Sequence, residues 1–447
     1  MKKVNEICPK SFLRKVGMEF AHYIGVTKTK IYLKLGDKTM SKPLEGFRVL
    51  DFSQFMSGPM CTLLLSDFGA EVIKIENPPL GDNTRYGNII DNNVSSHFAT
   101  RNRGKKSIVL NMKNEEHKKL FLELVKTADA VIENYKPGTM EKFGINYEVL
   151  EKINPKIVFT SISGYGQTGP YATHAAFDQT VQAESGMMSI TGAEGGEPVK
   201  SGGSIADYSG GLMGCIGTLM GILEAQRTGH GRRIDVSMMD SLIFCLENQF
   251  SSYLRTGNVP KPSGNSYASS APIGAYKCKD GKSLMITVGT DPQWKTFCDA
   301  LEQPQWYANP EYATMTQRAK KYKEIDAEVN RVFAEYTSDE LAEKLLAHKC
   351  VYGKINDFEA VANHPQVEYR KTLVNTTFPN GVSFKVPGNP LQMSGVERET
   401  EYEAVPLGYN TFEVLREVAD EETLHTIFDP VMAQVKEATE AKYTQSK

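Results

Sequence analysis

From Phe47 to Ser163 the chain alternates short β-branched runs with helical stretches, and no other feature restricts its fold as much. Residues 48–53, 71–76, 107–111, 130–134 and 157–163 read as strands, the second (EVIKIE) by strict alternation. Helices are expected from Gly58-Pro59 through Asp67, where Gly69 stops the first, and then over 115–128 and around 147–153. Strand–helix alternation is how a mostly parallel sheet covers both its faces, so the fold class is α/β with a doubly wound sheet. Ligands of such sheets sit beyond the carboxyl ends of the strands, here 54–57, Asn77, 111–113, 134–138 and the glycine-rich loop 164–171.

Beyond the strands, Gly203-Ser204-Ile205-Ala206-Asp207-Tyr208-Ser209-Gly210-Gly211 delivers one carboxylate to the start of a helix that Gly229 ends. Spacing alone makes Asp207 an N-cap, its side chain accepting from the free N–H groups of the first turn while the helix dipole favours its charged form. A second long helix is expected over 235–254. The polar Gly/Pro/Ser-rich stretch 257–270 then marks a boundary, followed by strands 274–277 and 283–288 around an Asp280-Gly281 turn and a helix-rich piece to about Lys349. The expected organisation is a leader over 1–42, a large domain over 43–256, a small α+β domain over 257–360, and a return segment over 361–447 whose C-terminal helix packs on the first domain.

The leader holds ten Lys/Arg against three Asp/Glu and reads as a solvated arm or as a start assigned upstream of Met40, with a basic amphipathic surface helix as the alternative. A net charge of −3 makes no global case for nucleic acid. No apolar run approaches the ~20 residues of a membrane span, and the N-terminus lacks a secretory core, so a cytoplasmic protein is expected. Its seven cysteines are scattered, without CxxC pairs or zinc spacing, which suits a reducing compartment and suggests no metal site.

Several nucleotide and hydrolase signatures are missing. Gly104-Lys105-Lys106-Ser107 lacks the upstream glycine of a phosphate-binding loop, no GxGxxG follows the first strand, and no histidine stands in a GxSxG-like context. The basic run 101–106, with Lys113, Lys136 and Lys142, is expected to form a surface that attracts phosphate.

Taken together, ordered blocks over about 44–408 resemble the class III CoA-transferases, among them formyl-CoA:oxalate and carnitine-type enzymes. They include Pro43-Leu44-Glu45-Gly46, Asp67-Phe68-Gly69-Ala70-Glu71-Val72-Ile73-Lys74-Ile75-Glu76, Gly81-Asp82 with Arg85, and Glu133-Asn134-Tyr135-Lys136-Pro137-Gly138. Phe177-Asp178 with Gln182-Ala183, Ile205-Ala206-Asp207, and Thr228-Gly229-His230-Gly231 complete the set. The resemblance implies a Rossmann-like large domain formed by both chain ends, a smaller domain, and a homodimer of two interlocked rings. It also implies that Asp207 is a nucleophile, carrying first an acyl anhydride and then a CoA thioester, with acyl-CoA and a small carboxylic acid as substrates and no permanently bound cofactor.

By the same resemblance, Gln54, Phe55, Met56 and Ser57 flank the thiol. Asn77, Lys113, Asn134, Tyr135, Lys142, Phe143, Asp178 and Gly264 match substrate- or CoA-binding positions, although Asn77 stands where some members have a basic residue and the glycine loop at 264 is shorter here. Acyl-CoA racemases of the same fold carry Gly-His-Asp where this chain has Ala176-Phe177-Asp178, with His174 upstream. A racemase and a non-catalytic CoA-ester-binding protein are the alternatives.

Overall fold

The structure, a computed structural model, describes residues 42–89, 94–266 and 270–445. The leader, apart from Lys42, therefore lies outside the described residues. Six strands form one sheet: β1 Arg48–Asp51, β2 Glu71–Glu76, β3 Lys106–Val109, β4 Ala130–Glu133, β5 Val158–Ser163 and β6 Arg233–Ser237. All neighbours are parallel, in the order β3-β2-β1-β4-β5-β6. The doubly wound parallel sheet is thus present.

Side chains of these strands alternate between two apolar layers, as the pleat requires. Leu50, Ile73, Val131 and Phe159 point to one face, where Phe121 and Leu124 of the helix Glu115–Val125 join Leu415, Leu424 and Phe428 from the C-terminal helices Thr411–Leu415 and Glu421–Gln445. Val49, Val72, Ile132 and Val158 point to the other, against Cys61 and Leu65 of the helix Ser57–Asp67 and Ala206, Cys215 and Ile222 of the helix Ile205–Thr228. Near-continuous apolar strands follow from burial on both faces.

The last strand departs from the sequence expectation, which placed a helix over 235–254. Ile234 and Val236 instead belong to β6, which takes its hydrogen bonds from β5, and helices Met238–Cys245 and Glu247–Thr256 follow. Ser237 makes the break, its hydroxyl accepting from Asp240 N at 3.0 Å as the cap of the first of them.

A separate apolar cluster gathers Tyr276, Leu284, Trp294, Phe297, Val329, Phe333 and Leu341. Its sheet joins β7 Ile273–Lys277, β8 Ser283–Thr287 and β9 Tyr352–Lys354, all antiparallel. Another three-stranded sheet is built from β10 Leu373–Thr377, β11 Ser383–Pro387 and β12 Glu401–Glu403. Among the described residues, no helix is long and apolar enough to cross a membrane.

Close packing of the helix Ile205–Thr228 depends on glycine. A Cβ on Gly211 would lie 2.6 Å from Ser57 O, and one on Gly214 would lie 2.5 Å from Ile162 Cδ1. The helix therefore touches the backbone of the helix Ser57–Asp67 and the side of β5, which sets where its first turn lies.

Candidate functional site

Strand order reverses between β1 and β4, because the chain winds outward through β2 and β3 and then returns to continue through β4, β5 and β6. A crevice opens at such a switch point, beyond the strand ends. Here it is a cleft of about 250 Å³ lined by Phe55 and Ser57 after β1, Asn134, Tyr135, Lys136 and Pro137 after β4, residues 162–164 at the end of β5, the segment 174–177, Met238 and Asp207.

Asn134 sews the two loops together. Its Oδ1 accepts from Gln54 N at 2.8 Å, and its Nδ2 donates to Gln54 O at 2.8 Å and to Ser57 Oγ at 3.1 Å. Phe55 takes a left-handed backbone with φ of 62°, strained for an aromatic residue, and its ring meets Phe177 edge-on at 6.1 Å. What holds that loop is a buried charge network beneath it. Lys74 Nζ donates to Ser53 O at 2.6 Å and pairs with Asp82 at 3.1 Å, while Asp51 accepts from Thr62 Oγ1 at 2.7 Å and from Lys105 Nζ at 3.1 Å. Burial pulls the Lys105 ammonium down to about 8, even with Asp51 drawing it up.

Asp207 enters the cleft from the first turn of the helix Ile205–Thr228. It is not the N-cap that its spacing suggested. Ser204 holds that position and caps nothing with its side chain. The cap comes instead from Asp178, at the start of the helix Asp178–Glu184, whose Oδ1 accepts from Ala206 N at 2.8 Å and Asp207 N at 3.3 Å. Asp207's own carboxylate accepts no protein hydrogen bond among the described residues, and burial first, then the like charge of Asp178, pushes it up to about 6 against the pull of Arg101. The expectation that first-turn N–H groups would hold Asp207 ionised is therefore reversed: Asp178 has taken them.

The other expected positions divide. Phe55, Ser57, Asn134 and Tyr135 line the cleft with Asp207, and Gln54 borders it, its Nε2 lying 3.5 Å from the Tyr135 hydroxyl. Phe143 is brought in only at second hand, edge-on to Tyr135 at 6.3 Å, and Met56 precedes the helix Ser57–Asp67 without lining the cleft. Asn77, Lys113 and Lys142 are exposed and do not line it. Gly264 is also away from it, its N–H bonded to Gly192 O at 2.9 Å. Asp178 is 4% exposed, with both oxygens engaged inside the protein, so it does not face the cleft.

The basic run is largely not a surface. Arg101, Arg103 and Lys105 are buried, Arg103 pairing with Asp67 at 2.9 Å, and Lys106 pairs with Glu71 at 2.8 Å. The counter-charges were present in the sequence, but only the fold brings Asp67 and Asp51 to Arg103 and Lys105. Sequence reasoning also passed over Met238 and Ala172, which line the cleft with no signal beyond being small or apolar. His174 lines it too, packed on the Tyr171 ring at 4.6 Å, as does Phe177, the residue that the resemblance set against the racemase histidine.

Known proteins share this sequence pattern and fold. The model of the family described as CoA-transferase family III matches residues 44–411. An acetyl-CoA:oxalate CoA-transferase of Acetobacter aceti is 36% identical over 366 residues, 81% of this chain and 92% of that protein. The human succinyl-CoA:glutarate CoA-transferase is 34% identical over 387 residues, 86% of this chain and 87% of that protein. The crystal structure of a CAIB/BAIF family protein from Brucella suis superimposes with a TM-score of 0.75 at 32% identity, covering 85% of this chain and 100% of that one.

Proposed function

The chain belongs to CoA-transferase family III and is a CoA-transferase; from that premise we propose that it moves CoA between an acyl-CoA thioester and a free carboxylic acid through covalent intermediates on Asp207. The observation that carries this reading is the state of the Asp207 carboxylate: it lines the cleft at the switch point, accepts no hydrogen bond from the described protein, and is pushed up to about 6 by burial. A carboxylate with that value is still about nine-tenths ionised at neutral pH, and it lacks the hydrogen bonds that blunt a nucleophile.

In the proposed sequence an Asp207 oxygen attacks the thioester carbonyl carbon, the C–S bond breaks, and CoA leaves as the thiolate from a mixed anhydride. The thiolate attacks the Asp207 acyl carbon, the anhydride C–O bond breaks, and the donor acid departs, leaving an aspartyl–CoA thioester. The acceptor carboxylate then attacks the same carbon and displaces the thiolate, which takes the acceptor's acyl group and frees Asp207. Each intermediate is hydrolysable, so water has to be kept from the reacting carbon; the apolar lining available for that is the buried Met238 and the exposed Phe55–Phe177 pair, which bound substrate would cover. CoA would enter along the strand ends, with Asn134 and Tyr135 near the thiol and the exposed Asn77, Lys113 and Lys142 toward its phosphates.

The names of the two relatives contain oxalate and glutarate, so dicarboxylates are the first acceptors to screen with a panel of acyl-CoA donors. We also read the chain as a large domain (43–256 and 361–447) around a small one (257–360), assembled as an interlocked homodimer. The exposed apolar stripe Leu212, Ile216, Met220 and Leu223 on the Asp207 helix supports a self-association surface.

The test is chemical trapping. Incubation with an acyl-CoA and hydroxylamine should leave a hydroxamate on the peptide carrying Asp207, and Asp207→Ala should abolish exchange while CoA affinity stays near that of the parent. An unmodified peptide despite measurable exchange would remove Asp207 from the mechanism.

A further inference from the structure

The first turn of the Asp207 helix lacks a cap of its own, and the residue that supplies one lies 28 positions upstream. The start of the Asp207 helix rests on the Asp178 carboxylate, which accepts from Ala206 and Asp207 N–H, and Asp178 is itself the first residue of the helix Asp178–Glu184. Its second oxygen, Oδ2, accepts from Gln182 Nε2 at 2.6 Å. Gln182 is 0% exposed, and its orientation is fixed from its other end, where Oε1 accepts from Ser201 N at 2.9 Å while Nε2 also lies 3.4 Å from Gly203 O. A chain of donors and acceptors thus runs from the backbone just before the helix, through Gln182 and Asp178, into the helix start, and with a carboxylate at 178 and an amide at 182 every acceptor along it meets a donor.

We propose that Asp178, oriented by Gln182, is the positioning residue of the Asp207 nucleophile: it consumes the N–H groups of the first turn so that the Asp207 carboxylate projects into the cleft unbonded. This rests on the covalent reading of Asp207 given above. A carboxylate free to bend back would cap its own helix, as residues of this type do at helix starts, and would present a hydrogen-bonded, less reactive oxygen to the thioester. The second effect of Asp178 is electrostatic. Its charge opposes ionisation of Asp207, and Arg101 counters it. Other titratable groups around Asp207 are Tyr135, Lys136 and His174 on the cleft walls. The neighbouring helix Met238–Cys245 brings the exposed Asp240 and Cys245, the helix Ser57–Asp67 the buried Cys61 and, at its far end, Asp67, the helix Asp178–Glu184 the exposed Glu184, and the Asp207 helix itself Tyr208 and Cys215.

The experiment uses the full chain with three variants, Asp178→Asn, Gln182→Met and the exchange pair Asp178→Asn/Gln182→Glu, each checked for parental thermal unfolding. In Asp178→Asn the new amide nitrogen meets Gln182 Nε2, donor against donor. kcat for CoA exchange should fall by on the order of tenfold or more with acyl-CoA KM within about threefold, and the acidic limb of the pH profile should move down by roughly half a unit or more as the like charge disappears. The exchange pair restores the donor–acceptor order, since the carboxylate introduced at 182 accepts both from the amide introduced at 178 and from Ser201 N, and it should recover at least about threefold of the lost kcat. Should Asp178→Asn fail to fold, Gln182→Met reads the same property, because it frees Oδ2 and leaves the cap in place; its kcat should drop severalfold at unchanged KM.

Parental kcat and an unmoved acidic limb in Asp178→Asn would overturn the proposal. So would a loss confined to KM, which would make Asp178 a substrate contact, and so would an exchange pair no better than the single variant. Hydroxylamine labelling of the parent separates the two readings: label on Asp207 with no kcat effect at 178 or 182 defeats only the positioning role, whereas exchange without label defeats the covalent role first.

Discussion

Replacing Asp207 by Asn should make the protein more stable at neutral and alkaline pH while destroying its activity. The ordinary value of the group is 3.8 and burial, with Asp178, raises it to about 6. One pH unit corresponds to about 1.4 kcal/mol, so the ionised form is disfavoured in the fold by about 3 kcal/mol, and by about 1–2 kcal/mol once screening at a half-buried cleft wall is allowed for. The sign follows from proton linkage. The native state binds this proton more tightly than the unfolded chain, so the penalty is absent below about pH 4, grows between about pH 4 and 6, and is complete above about pH 6. Asn carries no charge at any of these values and fills nearly the same volume, so its advantage should appear only where Asp is ionised. In thermal unfolding at matched scan rate, Asp207→Asn should melt about 1–4 °C above the parent at pH 8 and within about 1 °C of it at pH 4, a domain of this size moving by only a few degrees per kcal/mol. No gain at pH 8, or a gain of equal size at pH 4, would refute the claim that burial and Asp178 strain this carboxylate.

Two further substitutions address how the site is held. Gly211→Ala adds a Cβ 2.6 Å from Ser57 O; the helix must shift, so stability should fall by about 1–3 kcal/mol and exchange kcat severalfold, and a variant with parental kcat would show that close helix approach does not place Asp207. Lys74→Met removes the donor to Ser53 O and leaves the fully buried Asp82 without its 3.1 Å ion pair. It should cost about 3 kcal/mol or more in urea titration, and a loss under about 1 kcal/mol would mean that the network beneath the cleft is not what holds the strained Phe55 loop.

Local pattern sufficed for the sheet and failed where long-range geometry decides. EVIKIE alternates strictly, and β2 spans Glu71–Glu76 as read. Arg233–Ser237 is short and runs straight into a helix, so its strand character comes from pairing with β5, which its sequence does not contain. Residues 101–106 look like a solvated cationic surface because the carboxylates that neutralise Arg103 and Lys105 are 36 and 54 positions away. The loops at the switch point were legible as strand ends. That Gln54, Ser57 and Asn134 bond to one another was not, nor was the exclusion of Asn77, Lys113, Lys142 and Gly264 from the cleft. Asp207 stood out in the sequence as the carboxylate at a helix start, but the spacing gave it the wrong job there, because a cap can be delivered by a side chain 28 positions upstream.

Which carboxylate caps the helix decides the chemistry of Asp207. A carboxylate that caps its own helix accepts N–H bonds and gains from the dipole; both lower its pKa and its basicity, and a less basic oxygen is a poorer nucleophile toward a thioester. Placing the cap on Asp178 separates stabilising the helix from the nucleophilic role proposed for Asp207. The helix start is satisfied, as a buried terminus must be, while Asp207 stays within the same turn, unbonded and more basic than a free aspartate. Two carboxylates sharing one helix start repel, and that repulsion is part of what raises Asp207. Arg101 limits it: buried, with Nε lacking a partner among the described residues, it supplies positive potential to Asp207. The balance leaves a group that is charged at neutral pH yet weakly solvated, which is the state that the proposed anhydride chemistry would require, since in it the carboxylate must leave as readily as it attacks.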